Sequence, residues 1–312
     1  MQKLAINLLL FMLLPMASII FLFVIPADKQ FAYHFIKSDC YNHSDWIYAR
    51  MHDTAAVDIA FIGSSRTIHA IADSLIETAI SGNASKPVHV VNLGYCRFGR
   101  NMDFAIVKDL MSAKRIKKLV LEVREDEEPF SHLDFGYIAS SADLLRPVFV
   151  NPRYFSDSWK GLQMRVEFVK SFLKVRPASA FGQGNPASIY GYGSSTSSLP
   201  ANQEVPDSPS VNNTGSSVLR ALKLNFPRHY IAEIVALAKT QDIAVCFLYL
   251  PSYNHSQQAP RELPYYQKFG PVLIPPNEIF SNPVHFMDEN HLNDTGSKQL
   301  MEWLVQQPFI TE

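Results

Sequence analysis

The chain has 312 residues, of which 47% are hydrophobic and 18% are charged. So many apolar residues and so little charge exclude a disordered chain. The 28 Lys and Arg residues are balanced by 29 Asp and Glu residues, which argues against a nucleic-acid partner, since phosphate binding needs a basic surface. The three cysteines are too few for a disulfide scaffold and contain no C-x-x-C pair. We therefore expect a globular protein of α/β size.

The N-terminus carries the strongest local bias. Residues 4–26 contain no charged side chain, and about 20 apolar helical residues cross a hydrocarbon core of about 30 Å. Pro15 lies in mid-run, where membrane helices tolerate a kink. The main alternative is a cleaved signal peptide, but its apolar core is usually about 7–15 residues and ends at a small-x-small site. The sequence predicts an uncleaved transmembrane anchor over 1–28 and a juxtamembrane segment over 29–53.

The flanking charges suggest an orientation for this anchor. Lys3 precedes the apolar run, whereas Asp28 and Lys29 cancel each other after it. The positive-inside tendency therefore favours a cytoplasmic N-terminus and a single-pass protein with an exported body. In an exported protein Cys40 and Cys96 could pair, but three free thiols remain an alternative, because sequence does not fix connectivity.

Beyond the anchor, apolar runs alternate with helical patterns. Such alternation predicts βαβ units and a parallel sheet with helices on both sides. The predicted strands are Val57–Gly63, Val88–Gly94, Lys117–Val123 and Ile243–Pro251. The predicted helices are the stretch that follows Gly63, then Asp103–Ala113, Pro227–Thr240 and Thr295–Val305, with a short lead-in helix at Asp45–Met51.

The middle of the chain interrupts this pattern. Ser131–Lys174 has helical and loop-like character, and 177–217 is rich in Gly, Ser, Pro and Asn. A long irregular stretch inside a compact domain is typical of a lid, a binding loop or disorder. We expect one domain over 54–312 with an irregular insertion at about 177–217.

The first candidate for chemistry is the stretch Gly63-Ser64-Ser65-Arg66, where a buried strand turns into a helix. Ligands of open α/β sheets collect at the carboxyl ends of the strands, and amides at a helix start can stabilise an oxyanion. The flanks do not fit the G-x-S-x-G elbow of ordinary α/β-hydrolases. Taken alone, either serine could simply be an N-cap.

The second candidate is Asp288-x-x-His291 near the C-terminus. A histidine base needs its Nδ1 held by a carboxylate so that Nε2 faces the nucleophile. The same residues are also good turn formers, so the motif alone is weak. Together, the two motifs supply a serine nucleophile, a base and a carboxylate that orients the base.

These residues resemble the SGNH (GDSL-like) hydrolase superfamily, in its membrane-anchored, polysaccharide-modifying branch. The resemblance rests on Gly63-Ser64-Ser65, on Asp288 and His291, and on Gly94 after the second strand, and it covers roughly 54–126 and 227–305. It implies a three-layer α/β/α fold with a flavodoxin-like central sheet. It also implies a triad of Ser65, His291 and Asp288, with the Ser65 and Gly94 amides in the oxyanion hole.

One part of the family pattern is missing. In this family, the third sequence block usually contains an asparagine that donates to the oxyanion hole. Here the third predicted strand ends in the sequence Leu121-Glu-Val-Arg-Glu-Asp-Glu-Glu128, which contains no asparagine. Arg124 could donate instead, because a guanidinium has five N–H groups. The alternative, that Arg124 pairs with an acid of this run, is slightly preferred.

The resemblance implies acyl transfer to an exported or cell-surface polysaccharide. Similar proteins act in alginate O-acetylation and teichoic-acid D-alanylation, which implies a membrane-bound O-acyltransferase partner that supplies the acyl group. No cofactor is expected. An esterase with the same triad and a non-catalytic assembly factor remain alternatives.

The remaining polar residues receive ordinary interpretations. The other histidines, His69 among them, are scattered without metal-ligand spacing, so no metal site is expected. The acidic run Glu125–Glu128 is interpreted as a solvated loop.

Overall fold

The computed structural model describes residues 2–24, 28–36, 41–82, 87–146, 149–173, 188–200 and 217–312. The strands are β1 (Ile59–Ile62), β2 (Val90–Asn92), β3 (Lys118–Val123), β4 (Ala244–Tyr249) and β5 (Val272–Leu273). The helices are α1 (Gln2–Val24), α2 (Lys29–Phe35), α3 (Tyr41–His52), α4 (Ser65–Ala70), α5 (Asp73–Ser81), α6 (Arg100–Ala113), α7 (Phe135–Ile138), α8 (Ser141–Leu145), α9 (Tyr154–Leu173), α10 (Ser217–Lys239), α11 (Leu263–Tyr266), α12 (Asn277–Phe280), α13 (Asp294–Leu304) and α14 (Pro308–Thr311).

The chain divides into two compact units. One unit contains residues 1–48 and 133–184, and the other contains 49–132 and 185–312. Residues 133–184, which the predicted domain over 54–312 includes, therefore group with the N-terminal segment.

The larger unit is built on one parallel sheet with the strand order β2-β1-β3-β4-β5. Ile59 of β1 pairs with Val90 on one side and with Lys118 on the other, and Lys118 pairs with Ala244 of β4. Strands β1 and β2 are buried throughout, as expected where helices cover both faces of a parallel sheet. The predicted α/β class with a parallel sheet is confirmed.

Two groups of helices pack on this sheet. Helix α6 contacts β1 and packs against α10, which contacts β4. Ile59 and Phe61 of β1 instead join a buried cluster that includes Ile76 of α5 and Leu300 of α13. The arrangement is consistent with a three-layer α/β/α architecture, which places the carboxyl ends of β1, β3 and β4 along one edge.

The predicted strands are present with shorter ends, and one more strand exists. Each predicted run contains flanking residues that pass into turns, so that β1 spans four residues and β2 three. Strand β5 was not predicted, because two half-buried residues carry no periodic pattern.

The helical stretch after β1 was predicted as continuous, but it is two helices. Helix α4 ends at Ala70, and α5 starts at Asp73. The Asn92 side chain donates to the carbonyl oxygens of Thr67 and Ile71, at 2.8 Å each. A neighbouring strand therefore terminates α4, and the apolar spacing within the stretch carries no sign of that contact.

The start of one further helix differs from the prediction. Helix α10 begins at Ser217 and contains Pro227, which was taken as its first residue. In the insertion at 177–217, residues 188–200 carry neither helix nor strand, as expected, while most of the remainder lies outside the described residues.

The smaller unit is helical in its described part. Helix α9 packs against α7 and α8, and Lys29 of α2 donates from Nζ to the Ile138 carbonyl at 2.7 Å. Among the described residues, no single helix has both the length and the apolar content to cross a membrane. By those two criteria alone, the bent pair Leu10–Val24 and Lys29–Phe35 does.

The cysteines are only partly covered by the structure. Cys96 is disulfide-bonded, and Cys246 is a buried free thiol. Cys40 lies outside the described residues, so its predicted pairing with Cys96 stays a prediction.

A buried charge cluster joins α6 to the loop after β3. Arg100 donates from Nε to Glu127 at 2.9 Å and from Nη1 to Asp103 at 3.1 Å, and the Tyr266 hydroxyl also donates to Glu127. The Arg100 side chain is fully buried, and that of Glu127 nearly so. Glu127 was expected to be solvated, and that prediction is wrong because the acidic run folds back onto the arginine.

Replacement of this arginine should destabilise the fold strongly. Arg100→Met leaves Glu127 and Asp103 buried without their cation, which costs about 3–5 kcal/mol. Lys117→Met is the matched control, because Lys117 is 77% exposed in its ion pair with Asp58 and such pairs contribute at most about 1 kcal/mol. Urea unfolding of both variants measures the difference. Equal losses would contradict the role assigned to the cluster.

Candidate active site

The candidate site begins where β1 ends. Ser64 is the N-cap of α4, and its Oγ accepts from the Arg66 amide at 3.0 Å. Ser65 is the first residue of the helix and is partly exposed. The open choice between the two serines is thereby resolved: Ser64 caps the helix, which leaves the Ser65 hydroxyl available for chemistry.

Residues from the two ends of the larger unit meet at Ser65. His291 Nε2 lies 2.7 Å from Ser65 Oγ, and His291 Nδ1 lies 2.8 Å from both carboxylate oxygens of Asp288. Because a carboxylate accepts hydrogen bonds, Nδ1 carries the proton of a neutral ring, and Nε2 accepts from the serine hydroxyl. The structure thus brings together all three predicted triad residues.

The turn that carries Asp288 fixes its carboxylate against the histidine. Asp288 Oδ1 accepts from the amides of Asn290 and His291 at 2.8 and 3.0 Å. Burial alone would raise the pKa of Asp288, but the hydrogen bonds from the His291 ring and the Asn290 amide hold that pKa below its usual value. An ionised Asp288 can therefore orient His291 and stabilise its protonated form.

Gly63 is required by close packing at the strand-to-helix turn. A Cβ at this position would lie 2.2 Å from Thr67 Oγ1 and 2.4 Å from Glu122 Cβ. The glycine therefore lets the turn approach the end of β3, where Glu122 lies.

Glu122 is the buried carboxylate that organises this turn. It accepts from the Ser64 amide at 2.7 Å, from Ser64 Oγ at 2.8 Å and from Thr67 Oγ1 at 2.6 Å. Burial raises its pKa, but Arg124 and these donors outweigh burial and bring the pKa down to about 2. Glu122 was not among the predicted site residues, because the sequence pattern of a strand does not distinguish a buried, paired carboxylate from an exposed one.

Arg66 connects the serine turn to the loop of the triad. Its Nη1 donates to Glu125 at 2.9 Å and to the Leu250 carbonyl at 2.8 Å, and its Nη2 donates to Asn290 at 2.9 Å. Both side chains of the Arg66–Glu125 pair are 9% exposed. Glu125 is therefore buried, which contradicts its predicted place in a solvated loop.

The expected oxyanion donors occupy different environments. The Gly94 amide donates to Asn92 Oδ1 at 3.0 Å, so it is engaged in this structure. Arg124 donates from Nε to Glu122 at 2.6 Å and from Nη2 to Ser64 Oγ, so it pairs with an acid, as preferred, while lying next to the serine turn. Within the described residues, the Ser65 amide has no hydrogen-bond acceptor.

A second histidine that was passed over lies beside the triad. The His69 and His291 rings are 5.2 Å apart between centroids and nearly perpendicular. His69 follows Ser65 by four residues on α4, so the two share one helix face. That spacing was the signal in the sequence that could have identified it.

Part of the irregular insertion also lies at the site. Asp294, at the start of α13, accepts from the Tyr192 hydroxyl at 2.7 Å and from the Ser195 amide at 2.9 Å. The Gly193 amide donates to the Ile68 carbonyl at 2.9 Å, and the Gly193 carbonyl oxygen lies 2.6 Å from His69 Nδ1. Throughout the described part of the chain, no three His, Cys, Asp or Glu side chains are grouped so as to hold a metal ion.

Compared with known proteins, the chain matches no family model and no curated protein sequence. The resemblance to the SGNH superfamily therefore rests on the residues alone.

Neutralising Glu122 should loosen the serine turn in a pH-dependent manner. The folded-state pKa lies below the ordinary value of 4.5, so the charge stabilises the fold fully above that value, and the stabilisation is lost as the pH falls towards about 2. Glu122→Gln should cost about 3 kcal/mol at neutral pH. Urea unfolding at several pH values tests this. A difference from the wild type that stays constant down to pH 2 would contradict it.

Proposed function

We propose that the chain is a serine acyltransferase that works through Ser65, His291 and Asp288 and acylates a hydroxyl group of an exported or cell-surface polysaccharide. The observation that carries the proposal is the continuous hydrogen-bonded path from Ser65 Oγ through the His291 ring to the Asp288 carboxylate, with contacts of 2.7 and 2.8 Å. This is the geometry that nucleophilic catalysis by serine needs.

The proposed reaction has two halves. Ser65 Oγ attacks the carbonyl carbon of an acyl donor, His291 Nε2 takes the serine proton, and the donor's leaving group departs with that proton. The acceptor hydroxyl then attacks the Ser65 ester, its proton passes to His291, and Ser65 Oγ leaves and takes the proton back. Asp288 stays ionised and stabilises the imidazolium in both halves.

The developing oxyanion needs hydrogen-bond donors. The Ser65 amide at the start of α4 is the first, and the Arg124 guanidinium, fixed against Glu122 beside the turn, is a second candidate. Gly94 can serve only after its amide leaves Asn92, and catalytic hydrogen bonds often tighten only with substrate bound. Because loss of one donor costs about 10²–10³ in rate, we expect modest activity on simple esters.

The architecture supports the assignment to an SGNH-type, flavodoxin-like fold. The order β2-β1-β3-β4-β5 is that of flavodoxin-like sheets, whose ligands bind where the order reverses, beside β1 and β3. Ser65 follows β1, and Glu122 and Arg124 lie at the end of β3. The candidate site therefore lies where such folds bind their ligands.

We further propose that residues 4–26 anchor the protein as a single membrane span, with the larger unit exported. The uncharged run supports this, as do exposed apolar side chains on α1 such as Leu4 and Phe11, which are 75% and 74% exposed. A membrane-bound O-acyltransferase is proposed as the source of the acyl group, by resemblance. After carbonate washing of membranes, the full chain should stay in the pellet; its release would contradict the anchor.

The triad is tested by substitution in the full chain. Ser65→Ala and His291→Asn should each lower the release of p-nitrophenol from p-nitrophenyl acetate by about 10³-fold or more. Ser112→Ala on α6 and His89→Asn are the matched controls, because neither residue touches the site. Retention of activity in Ser65→Ala would overturn the mechanism.

Whether the protein adds or removes acyl groups is tested in cells from which the gene for this protein has been deleted. Complementation with the wild type should restore base-labile acyl groups on the surface polysaccharide, measured by NMR, and Ser65→Ala should not. An increase of acyl groups in Ser65→Ala would identify an esterase instead. Unchanged acylation in Ser65→Ala would identify a non-catalytic assembly factor.

A further inference from the structure

His69 adds a second imidazole to the candidate site, and the triad does not use it. Its ring centroid lies 5.2 Å from that of His291, with an angle of 68° between the planes. His69 is partly buried and lies on the same face of α4 as Ser65. A polar group so close to the nucleophile and its base can contact a substrate that binds beside Ser65.

The contacts of His69 fix which ring nitrogen carries the proton. Nδ1 lies 2.6 Å from the Gly193 carbonyl oxygen, and a carbonyl oxygen only accepts, so Nδ1 donates. Burial lowers the pKa of His69, although the bond to Gly193 opposes it, and this favours the neutral ring. The lone pair is then on Nε2, and within the described residues Nε2 has no hydrogen-bond partner.

The segment around Gly193 packs closely against His69. The Gly193 amide donates to the Ile68 carbonyl at 2.9 Å, and a Cβ on Gly193 would lie 2.9 Å from the His69 ring. Both neighbours of the glycine are hydrogen-bonded to Asp294, through the Tyr192 hydroxyl at 2.7 Å and Ser194 Oγ at 2.8 Å. His69 is therefore held in one orientation.

We propose that His69 binds the acyl acceptor, with Nε2 accepting a hydrogen bond from a hydroxyl adjacent to the one that attacks the acylated Ser65. The proposal rests on the proposed function and names its acceptor class: a sugar unit with neighbouring hydroxyls. Two imidazoles at this separation can address two adjacent hydroxyls, one through His291 as base and one through His69.

The chemistry of the step is unchanged by this contact. The oxygen of the attacking hydroxyl bonds to the acyl carbon, its proton passes to His291, and the bond from the acyl carbon to Ser65 Oγ breaks as Oγ recovers that proton. His69 keeps its own proton on Nδ1 throughout and only accepts a hydrogen bond. Because water and simple alcohols lack the second hydroxyl, the contact favours transfer to a diol over hydrolysis.

The test compares two acceptors that differ by one hydroxyl, cis-1,2-cyclohexanediol and cyclohexanol. The full chain in detergent is acylated with p-nitrophenyl acetate in the presence of one or the other acceptor. NMR then measures the acetylated alcohol and the free acetate. In the wild type, the ratio of acetylated alcohol to free acetate should be about fivefold to tenfold higher with the diol than with cyclohexanol, which is the effect expected of one hydrogen bond.

The informative variant is His69→Asn, with His89→Asn as its control. Asparagine keeps a donor near the Nδ1 position for the Gly193 carbonyl but has no group at the Nε2 position. The variant should lose the preference for the diol, whereas a merely structural His69 would be rescued by asparagine and keep it.

The outcomes distinguish a failure of the proposal for His69 from a failure of the proposed serine mechanism. A wild type that is acylated but shows no preference, or a His69→Asn variant that retains it, overturns acceptor binding by His69 and leaves the triad standing. A wild type that releases no p-nitrophenol above the level of Ser65→Ala overturns the serine mechanism itself.

Discussion

The buried carboxylate of Glu122 is the interaction on which the candidate site depends. It lies at the end of β3, yet it accepts hydrogen bonds from the amide and hydroxyl of Ser64 and from the Thr67 hydroxyl. A single charged group thus fixes the turn between β1 and α4. The charge can remain buried because Arg124 and several polar donors surround it, whereas an unpaired carboxylate there would be too costly. The position of Ser65 is a consequence of this network.

Arg66 is a second buried charged group that connects several segments of the site. Its guanidinium links Glu125 after β3, the Leu250 carbonyl after β4 and Asn290, the residue before His291. The nucleophile turn and the base loop are far apart in the chain, and this arginine is one of the groups that hold them together. The two charge networks hold the serine turn and the loop before His291 together, and the His291 ring lies within hydrogen-bond distance of Ser65. Such pre-organisation is what lets a site stabilise developing charge without moving during the reaction.

The sequence predicts some of this organisation and not the rest, for physical reasons. Alternation of apolar runs and helical patterns predicted the parallel sheet. The glycine-serine turn after the first strand and the Asp288-x-x-His291 spacing, together with the family resemblance, predicted Ser65, Asp288 and His291 as neighbours. The break between α4 and α5 was missed, because the side chain of Asn92 on another strand ends α4. The burial of Glu122, Glu125 and Glu127 was missed for a related reason: their arginine partners come together with them only in the folded chain. His69 was missed because its contacts with the Gly193 carbonyl and the His291 ring form only in the folded chain, although its spacing of four residues from Ser65 could have indicated it.

The central claim is that His291 activates Ser65 and not its neighbour Ser64. The most direct measurement is labelling of the full chain with a fluorophosphonate, followed by intact-mass analysis and peptide mapping. We expect one label, on Ser65, and a rate of labelling that is lower by about 10³-fold or more in His291→Asn. Labelling of Ser64, or labelling of Ser65 at the same rate without His291, would contradict it.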